Sequence, residues 1–582
     1  MALDADIRWH IQHTLPDPDT GSLVLESIDG IAAEAGSHAH EGDEIGARLV
    51  NEGGVNRVVY PPGVMEAYRE LGNNGLLGLS TRSAGLPFLL SVMGTEILSG
   101  AYSGLALIPI VTDGAMEYVE RFAPPHVKER VFGKLLGGEY IGAMAMTEAG
   151  AGSDLRAMRT VAEPITEGPH AGKYRINGTK MFITNPGADV MVVQVKDKGR
   201  ETLSVMLVLR EEDGKMNGVR VSKLENKLGI HSSPTGAVEF EDALGYLLGP
   251  QGKGQEVMYD IMNLARTHVA AQATGLASAA VAYTLRYADG DQNNDFKGAR
   301  VQGGKRIAEH GNVAARLMEM QARVEVMRAL TYDAAQASDR KLTLERRLAD
   351  EAQLQGDAEF MQELAKARDV SVALACLSKY YAGKAVRQVT LDAIDMMGGH
   401  GYIRDHPVER FHRDGIIPHI YEGTGDMQAK LDLAMLSKGK LETVVKEIRD
   451  TLQEYRSDVM ASDFADRYVR IDINNPRASV CEYLNRKLEV IDPALARLRK
   501  VSDPDDPLFI PLSREQAWND VATLLAQAYS AHLLLKSGDP RKAQVALQFL
   551  VAESSPEARL MEGPFPASRR MFEHIMYAKP LN

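Results

Sequence analysis

The chain has 582 residues, of which 45% are hydrophobic and 25% are charged. These fractions are ordinary for a globular protein with more than one core, and they exclude a fibrous or mainly disordered chain. The formal net charge of −13 argues against a nucleic-acid-binding protein, because such proteins neutralise phosphates with Lys and Arg.

The sequence contains no uninterrupted apolar run near the roughly 20 residues that a membrane-spanning helix needs. Its first residues, MALDADIRWHIQ, lack the basic and then apolar pattern of a signal peptide. We therefore expect a cytoplasmic protein without membrane insertion. Of the two cysteines, Cys376 lies in the apolar run SVALACL, which predicts a buried structural thiol, and neither Cys376 nor Cys481 suggests a disulfide framework or a metal site.

Residues 1–140 have the pattern of helices separated by Gly and Pro, with clear helical runs at 62–71 and 114–136. From about residue 141 the sequence pattern changes to short runs of Val, Ile, Thr and Met between turn residues, which predicts strands. The dipeptide Asn177-Gly178 within this region suits a hairpin turn. Residues 141–250 are therefore predicted to form a β domain inserted between helical regions.

Residues 251–439 again have long helical patterns, interrupted at GARVQGG and MMGGHGYIRDHP. A further helical region covers residues 440–582, where the segment SDPDDPLFIPLS predicts an exposed connection. Within that region an apolar stripe at i, i+3, i+4 and i+7 predicts a buried helix face, formed by Val521, Leu524, Leu525 and Ala528.

The first segment with chemical character is MAMTEAGAGSD, residues 144–154, where a predicted strand ends in a glycine-rich turn. Small residues let a backbone approach a flat or anionic ligand, and the hydroxyls of Thr147 and Ser153 can donate hydrogen bonds. Taken alone, this segment is at least as well explained as an ordinary loop.

The second segment is KMFITN, residues 180–185, on a predicted strand. It offers an aromatic ring at Phe182 and a hydroxyl at Thr184. Taken alone, Phe182 is equally well explained as a strand residue that fills a core.

The third segment comprises MMGGHGY, PVERFHRD and IYEGTGDMQ, between residues 396 and 428. A single glutamate in a chain with 79 acidic residues normally lies on the solvated surface. Glu422, however, stands between Tyr421 and the glycines 423 and 425, which free the backbone to place a carboxylate and an N–H around one carbonyl group.

Together the three segments resemble the acyl-CoA dehydrogenase family over about residues 40 to 436. The family patterns are MTEPGAGSD, then GGxGY, P-V-E-R, R-D and IYEGT, and Ala149 stands where the family usually has Pro. The resemblance implies a mostly α fold with an inserted β domain: an α domain, a β-barrel-like middle domain and an α four-helix bundle, here followed by a C-terminal helical extension. The expected domains are 1–140, 141–250, 251–439 and 440–582.

The resemblance also implies FAD as cofactor and assigns roles to individual residues. The FAD-binding residues that it implies are Met144, Met146, Thr147, Gly152, Ser153, Phe182, Thr184, Arg300, Gln302, Gly398, Gly399, Thr424 and Asp426. The substrate-binding residues that it implies are Ser153, Arg266, Tyr421 and Gly423.

Some of these assignments have alternatives. Arg266 corresponds to a family arginine at the coenzyme A end, and Arg300 with Gln302 to the part that holds the FAD pyrophosphate of a neighbouring subunit. Either arginine can instead be a surface charge or a helix-end residue. The family often has Gln where Asp395 and Asp426 stand, and an acid there repels phosphate but accepts hydrogen bonds from ribose or amide groups.

The reaction implied by the resemblance is α,β-dehydrogenation of an acyl-CoA thioester to the 2-enoyl-CoA. Glu422 is then the base that removes the α-proton, while hydride passes from the β-carbon to FAD N5. The Glu422 amide and a ribityl hydroxyl of the flavin polarise the carbonyl. An electron-transfer flavoprotein is the implied electron acceptor, and a homodimer or homotetramer the implied assembly.

Three alternatives to this reaction stay open at the level of sequence. They are an acyl-CoA oxidase that uses oxygen, a DNA-associated flavoprotein of the alkylation-response branch, and a non-catalytic acyl-CoA binder. With its additional helical region beyond residue 440, the chain resembles the enlarged subgroup that includes 3-methylmercaptopropionyl-CoA dehydrogenase. This resemblance indicates a branch of the family and no particular acyl group. Ser99, Tyr102 and Ser103 are candidate polar residues of an acyl pocket or, equally, residues of a helix interface.

Overall fold

The computed structural model describes residues 4–291, 294, 297–437, 442–454, 475–500, 511–553 and 575–576. Its contacts divide the chain into two compact units, Met1–His268 and Val269–Asn582, which are described in turn. Most of the connection predicted at residues 502–513 lies outside the described residues, and residues 511–513 belong to a helix.

The first unit begins with helices and one hairpin. These elements are α1 (Ala5–Thr14), α2 (Pro18–Ser37), α3 (Ala39–Ile45), β1 (Arg48–Glu52), β2 (Val55–Val59), α4 (Val64–Asn73), α5 (Phe88–Phe122) and α6 (Pro125–Leu136). The hairpin β1–β2 was missed by the helical prediction for residues 1–140. Gly53 and Gly54, with φ of 60° and 89°, form its two-residue turn, because glycine adopts positive φ without steric cost.

The helical run predicted at residues 114–136 is two helices. Ala123 is extended, with ψ of 145°, and Pro125 begins α6. Proline cannot donate a backbone hydrogen bond and disfavours helical geometry in the residue before it, so the chain breaks between α5 and α6.

Helix α5 forms the centre of the helical part of the first unit. By length and composition it is the one helix among the described residues that could cross a membrane, but 78% of its most apolar window is buried inside the protein. The helix is kinked at Tyr102, where φ is −151° and ψ is 86°, and it packs against α2 and β3. Its apolar length therefore serves as core.

The β part of the first unit is a closed sheet. The strands of this sheet are β3 (Gly142–Ala145), β4 (Val161–Pro164), β5 (Tyr174–Thr184), β6 (Val190–Asp197), β7 (Leu203–Leu209), β10 (Val219–Leu224) and β11 (Thr235–Leu248), while β8 (Glu211–Glu212) and β9 (Lys215–Met216) form a separate hairpin. Strands β11, β5, β4, β6 and β7 pair in a ring, because β7 pairs with both β6 and β11. Outside this ring, strand β10 pairs with β11 and strand β3 pairs with β6. The predicted barrel-like domain is therefore confirmed.

Asn177 and Gly178 do not form the predicted hairpin turn, because β5 runs through both residues as one strand. A Cβ atom on Gly178 would lie 2.6 Å from the Cα of Thr160, so glycine is needed for close approach of the neighbouring chain. The Asn177 side chain instead binds Asp242, at a bulge in β11.

The second unit is helical. Its elements are the C-terminal part of α7 (Gly254–Asp289), then β12 (Val301–Gln302), β13 (Lys305–Arg306), α8 (Gly311–Asp350), α9 (Ala358–Met397), α10 (Val408–Asp414), α11 (Gly425–Ser437), α12 (Glu442–Glu454), α13 (Pro476–Lys500), α14 (Pro511–Lys536) and α15 (Pro540–Ala552). With the inserted barrel of the first unit, this arrangement is the predicted fold class.

One core unites the helices of the second unit. Helix α8 packs against α9, and α14 packs against α8, α9 and α11. The stripe predicted on α14 is confirmed, since Val521, Leu525 and Ala528 are buried and Leu524 is partly buried. Cys376 is a buried free thiol, as predicted.

A buried polar cluster joins α8, α12 and α14 in this unit. The Tyr529 hydroxyl lies 2.9 Å from Asp333 Oδ2 and 2.9 Å from Glu447 Oε2. Burial, together with the charge of Glu447, raises the pKa of Asp333 to about 6, while Tyr529 and Lys536 act in the opposite direction. The charged form of Asp333 is therefore disfavoured in the folded protein.

This cluster predicts a pH-dependent contribution to stability. Because the folded pKa of Asp333 lies above its ordinary value of 3.8, its contribution is fully present below about pH 4 and is lost as the pH rises through about 6. We expect Asp333→Asn to melt at a higher temperature than the wild type at pH 8, with a smaller difference at pH 5. Differential scanning fluorimetry measures this, with Asp450→Asn on α12 as the control. A difference that does not change with pH contradicts the prediction.

Candidate active site

The chain leaves β3 through a tight turn. The backbone N–H groups of Glu148 and Ala151 each donate to the carbonyl of the other, at 3.0 and 3.1 Å. Met146 and Thr147 are half-buried before the turn, whereas Gly152 and Ser153 are exposed after it. The predicted glycine-rich turn at a strand end is thus confirmed, and it presents Gly152 and Ser153 to solvent.

Met144 differs from the other predicted FAD residues of this segment. It is 8% exposed on β3, and its Sδ and Cε atoms lie against Gly114 of α5. The Met144 side chain therefore packs in the core of the first unit.

A buried lysine holds the start of the turn. Lys180 on β5 is fully buried, and its Nζ donates to Met146 O at 2.9 Å and to Glu148 Oε1 at 2.8 Å. Glu148 also accepts from the N–H groups of Arg159 and Thr160, at 2.6 and 3.0 Å. Burial alone would raise the pKa of Glu148, but these hydrogen bonds hold the pKa below its ordinary value.

Phe182 lies in a β-bulge next to that lysine. Between the pairs Ile183–Gly236 and Lys180–Val238, β5 has one residue more than β11. Phe182 is the bulge residue with a strained backbone, since its φ is 58°, and its side chain is 60% exposed. A bulky residue with positive φ is a steric outlier, and such strain is concentrated at functional sites.

The first two predicted segments meet at this bulge. The Met181 N–H donates to Thr147 O at 2.8 Å, next to the bond from Lys180 to Met146. Thr184 pairs with Thr235 at the end of β5 and is half-buried. The alternative reading of Phe182 as a core aromatic is wrong, since its ring faces solvent.

Arg266 is a buried residue of α7, so its reading as a surface charge is wrong. It is 3% exposed, and its Nη1 donates to Asn263 Oδ1 at 2.7 Å. Two residues on, the ring of His268 is 2.8 Å from the hydroxyl of Thr95 on α5, and burial lowers the pKa of His268 to about 4. His268 is therefore neutral at physiological pH.

Ser99, Tyr102 and Ser103, the candidate pocket residues of α5, are all buried. The Ser99 hydroxyl has no hydrogen-bond partner within the described part of the chain. Burial fits both readings of these residues, and their role in an acyl pocket stays a prediction.

In the second unit, Gln302 lies in the exposed hairpin β12–β13, and Arg300 is the exposed residue directly before it. The turn of the hairpin is Gly303-Gly304, with φ of 59° and 75°. Arg306 fixes its base through Asp289, with an Nη1–Oδ1 distance of 3.2 Å. Both predicted residues thus stand on a defined surface loop.

Gly398 and Gly399 end α9, where Gly398 has φ of 58°. A Cβ on either glycine would meet no protein atom within 4 Å, so the packing of the chain itself does not require glycine there. Gly401 differs, because its Cβ would lie 2.4 Å from Ile394 O. Asp395 lies 3.9 Å from Arg316 Nη1.

Glu422 lies in a strained loop in front of α11. It has φ of 56°, Gly423 follows with φ of 88°, and Glu422 is half-buried. The side-chain amide of Gln428 donates to the carbonyls of Glu422 and Gly423, at 3.1 and 3.3 Å. A Cβ on Gly423 would lie 2.5 Å from that same amide nitrogen, so this position requires glycine.

The residues on both sides of Glu422 are fixed as well. The Tyr421 hydroxyl donates to Gln272 Oε1 on α7, and burial raises the pKa of Tyr421 far above its ordinary value. Gly425 packs on His419, whose ring would lie 2.0 Å from a Cβ at that position. Burial and the nearby charges of Arg387 and Lys379 lower the pKa of His419 to about 4, so this ring is neutral.

Thr424 and Asp426 stand at the start of α11. The Thr424 carbonyl accepts from Gln428 N at 3.0 Å, and both residues are exposed. Asp426 Oδ1 accepts from Asn519 Nδ2 of α14 at 2.8 Å. The acid that departs from the family pattern thus binds an amide of this chain.

Two family models match the chain: "Acyl-CoA dehydrogenase, middle domain" at residues 143–243 and "Acyl-CoA dehydrogenase, C-terminal domain" at residues 252–434. A 3-methylmercaptopropionyl-CoA dehydrogenase of Ruegeria pomeroyi is 32% identical over 460 residues, which cover 73% of this chain and 74% of that protein. An acyl-CoA dehydrogenase of Bacillus subtilis is 30% identical over 372 residues, covering 62% of this chain and 86% of that protein.

A solved structure with the same fold extends over almost the whole chain. It is an acyl-CoA dehydrogenase from Bacillus anthracis complexed with FAD, with a TM-score of 0.69 at 19% identity, covering 97% of this chain and 92% of that chain. With the relatives above, the family predicted from the three segments is confirmed. The chain belongs to the acyl-CoA dehydrogenase family and is an FAD-dependent oxidoreductase.

Sequence reasoning missed the side chains that hold these loops, namely Lys180, Gln272, Lys379 and Gln428. Three of the four donate hydrogen bonds to backbone carbonyls, and Gln272 accepts one from a phenol. Lys180 could have been noticed as the one charged residue in the run KMFITN.

The buried pair of Lys180 and Glu148 predicts a structural effect at the turn. We expect Lys180→Met to leave Glu148 charged and buried, which destabilises the first unit by about 3 kcal/mol. Thermal melting and the FAD content of the purified protein measure the effect, and we expect both to fall. Lys196→Met, which removes an exposed ion pair with Glu201, is the control and should change neither. Full FAD content with an unchanged melting temperature in Lys180→Met contradicts the prediction.

Proposed function

We propose that this chain oxidises an acyl-CoA thioester to its 2-enoyl-CoA, with Glu422 as the base that removes the α-proton. The observation that carries the proposal is the backbone of Glu422, a charged residue held at φ of 56° by hydrogen bonds to its own carbonyl and to that of Gly423. A non-glycine residue in this conformation costs about 1–2 kcal/mol, and such strain is concentrated at functional sites.

The residues of the first unit fit a flavin. The bulge places the aromatic face of Phe182 in solvent, where a flat ring system can stack on it. Thr147, Thr184 and Ser153 supply hydroxyl groups, and Gly152 leaves open space beside its Cα. FAD, when bound, accepts the hydride that leaves the β-carbon of the substrate.

Most of the predicted FAD-binding residues of the second unit fit the phosphate and ribose groups of FAD, and one does not fit a phosphate. Arg300 offers a guanidinium directly before an exposed hairpin, and Gly398 and Gly399 leave room for a ligand beside the backbone. Thr424 adds a hydroxyl at the start of α11. Asp426 does not fit a phosphate, because its carboxylate is negative; a ribose hydroxyl or an amide is its suitable partner.

Bound substrate would strengthen the Glu422 carboxylate as a base. It is half-buried, and bound substrate would remove further water from it, which disfavours the charged form and raises its basicity. The Glu422 N–H can donate to the thioester carbonyl, which acidifies the α-carbon. The α-proton then goes to Glu422, and the hydride carries two electrons away from the β-carbon. A double bond between the α- and β-carbons remains.

Glu422→Gln tests the base directly. The amide keeps the size of the side chain but cannot accept the α-proton, so we expect FAD and acyl-CoA to bind while the rate of flavin reduction falls at least about 1,000-fold. Bleaching of the flavin absorbance by a panel of acyl-CoA thioesters, under anaerobic conditions, measures the rate. Glu363→Gln, an exposed residue of α9, is the control. Wild-type bleaching in Glu422→Gln would refute the assignment.

We further propose an electron-transfer flavoprotein as acceptor, because a reduced flavin must pass on two electrons before the next turnover. We expect the enzyme reduced by acyl-CoA to be reoxidised quickly by an electron-transfer flavoprotein and slowly by air. Stopped-flow absorbance after mixing with each acceptor measures both rates. Rapid formation of hydrogen peroxide in air would instead identify an acyl-CoA oxidase.

The assembly, the location and the acyl group stay predictions. We propose a homodimer or homotetramer in the cytoplasm, which acts on an acyl-CoA. The acidic net charge continues to disfavour the DNA-associated alternative.

A further inference from the structure

One face of α9 lies along the loop that carries Glu422. Lys379, Gly383 and Arg387 are spaced four residues apart and so share that face. Lys379 Nζ donates to Gly423 O, and Arg387 Nη2 donates to Ile416 O at 3.2 Å. A Cβ on Gly383 would lie 3.0 Å from the Cα of His419, so glycine lets the loop backbone approach the helix.

Lys379 has an unusual position for a lysine, because it is 0% exposed. Burial of an ammonium group is costly and is tolerated only where strong hydrogen bonds replace the lost water. A neutral side chain could fill the same volume at lower cost. The charge at this position therefore points to a function that packing does not supply.

The bond to Gly423 O acts on the backbone conformation of Glu422. Two successive residues, Glu422 and Gly423, have positive φ, and the carbonyl of each is bound by a side chain. Gln428 binds both carbonyls weakly, at 3.1 and 3.3 Å, whereas Lys379 contributes a charged donor to the second. Without that donor, only the weaker bond from Gln428 holds the peptide group after Gly423, which adjoins the strained backbone of Glu422.

We propose that Lys379 is a positioning residue for Glu422: its ammonium group fixes the carbonyl of Gly423 and thereby the left-handed backbone that aims the carboxylate. The proposal rests on the proposed role of Glu422 as base. Lys379 itself acts through the loop and needs no contact with the substrate or the cofactor.

The test is the rate of flavin reduction by acyl-CoA in the Lys379→Met holoenzyme. Because a misplacement of about 1 Å can cost about 100-fold in rate, we expect a loss of that order in the limiting rate. FAD content and the acyl-CoA concentration at half-maximal rate should stay within about 3-fold of wild type, since binding groups are unchanged. Lys379→Arg, which keeps a cationic donor, should recover part of the rate.

The matched control is Lys384→Met, on the same helix. Its Nζ donates to Thr523 Oγ1 at 3.1 Å and not to the loop, so we expect the wild-type rate. Should Lys379→Met yield no holoenzyme, Lys379→Gln is measured by the same criteria, because its shorter neutral side chain is tolerated more easily. A wild-type limiting rate in either variant overturns the proposal.

A double variant separates positioning from a general loss of structure. If Lys379 acts through Glu422, Lys379→Met combined with Glu422→Gln reduces the flavin no more slowly than Glu422→Gln alone. A further loss, with lower FAD content, identifies a merely structural role and overturns the proposal. If Glu422→Gln alone keeps the wild-type rate, the base assignment fails; if it loses the rate while Lys379→Met keeps it, only the role of Lys379 fails.

Discussion

The candidate site depends on the hydrogen bonds that hold the carbonyls of Glu422 and Gly423 in a strained loop. Gln428 and Lys379 supply the donors, and both residues come from helices that the core of the second unit makes rigid. A backbone with positive φ at a glutamate is unstable by itself, so its surroundings must determine it. The long helices α8 and α9, and the helices that cover them, are what make that small loop possible.

A similar arrangement occurs in the first unit. Lys180 is also fully buried, it also donates to a backbone carbonyl, that of Met146, and it also lies next to a strained residue, Phe182. In each unit a buried cation thus fixes the backbone where a non-glycine residue with positive φ presents its side chain. A lysine carries its ammonium group on a long flexible side chain and binds a carbonyl more strongly than a neutral donor does, which explains its use at both places.

Sequence patterns predicted the parts of this protein that depend on local chemistry. The stripe at Val521, the turn after β3 and the break between helical and β regions follow from side-chain period and from glycine. The pairing of β1 with β2 was missed although Gly53 and Gly54 marked its turn. Asn177-Gly178 was misread because the close approach of Thr160 explains that glycine, and only a fold shows that contact. Lys379 acts on a residue 44 positions away, a relation that no local pattern contains.

The bond between Asn519 and Asp426 gives the C-terminal region a direct connection to the loop of Glu422. The hydroxyl of Tyr380, the residue after Lys379, donates to the backbone carbonyl of the same Asn519 on α14, at 3.0 Å. Helix α14 therefore packs directly against the helices that carry the candidate site of the second unit. An engineered protein shortened to the length of the smaller relatives would expose α9 and leave Tyr380 and Asp426 to water, so new polar and apolar surface would have to be designed there before such a protein could work.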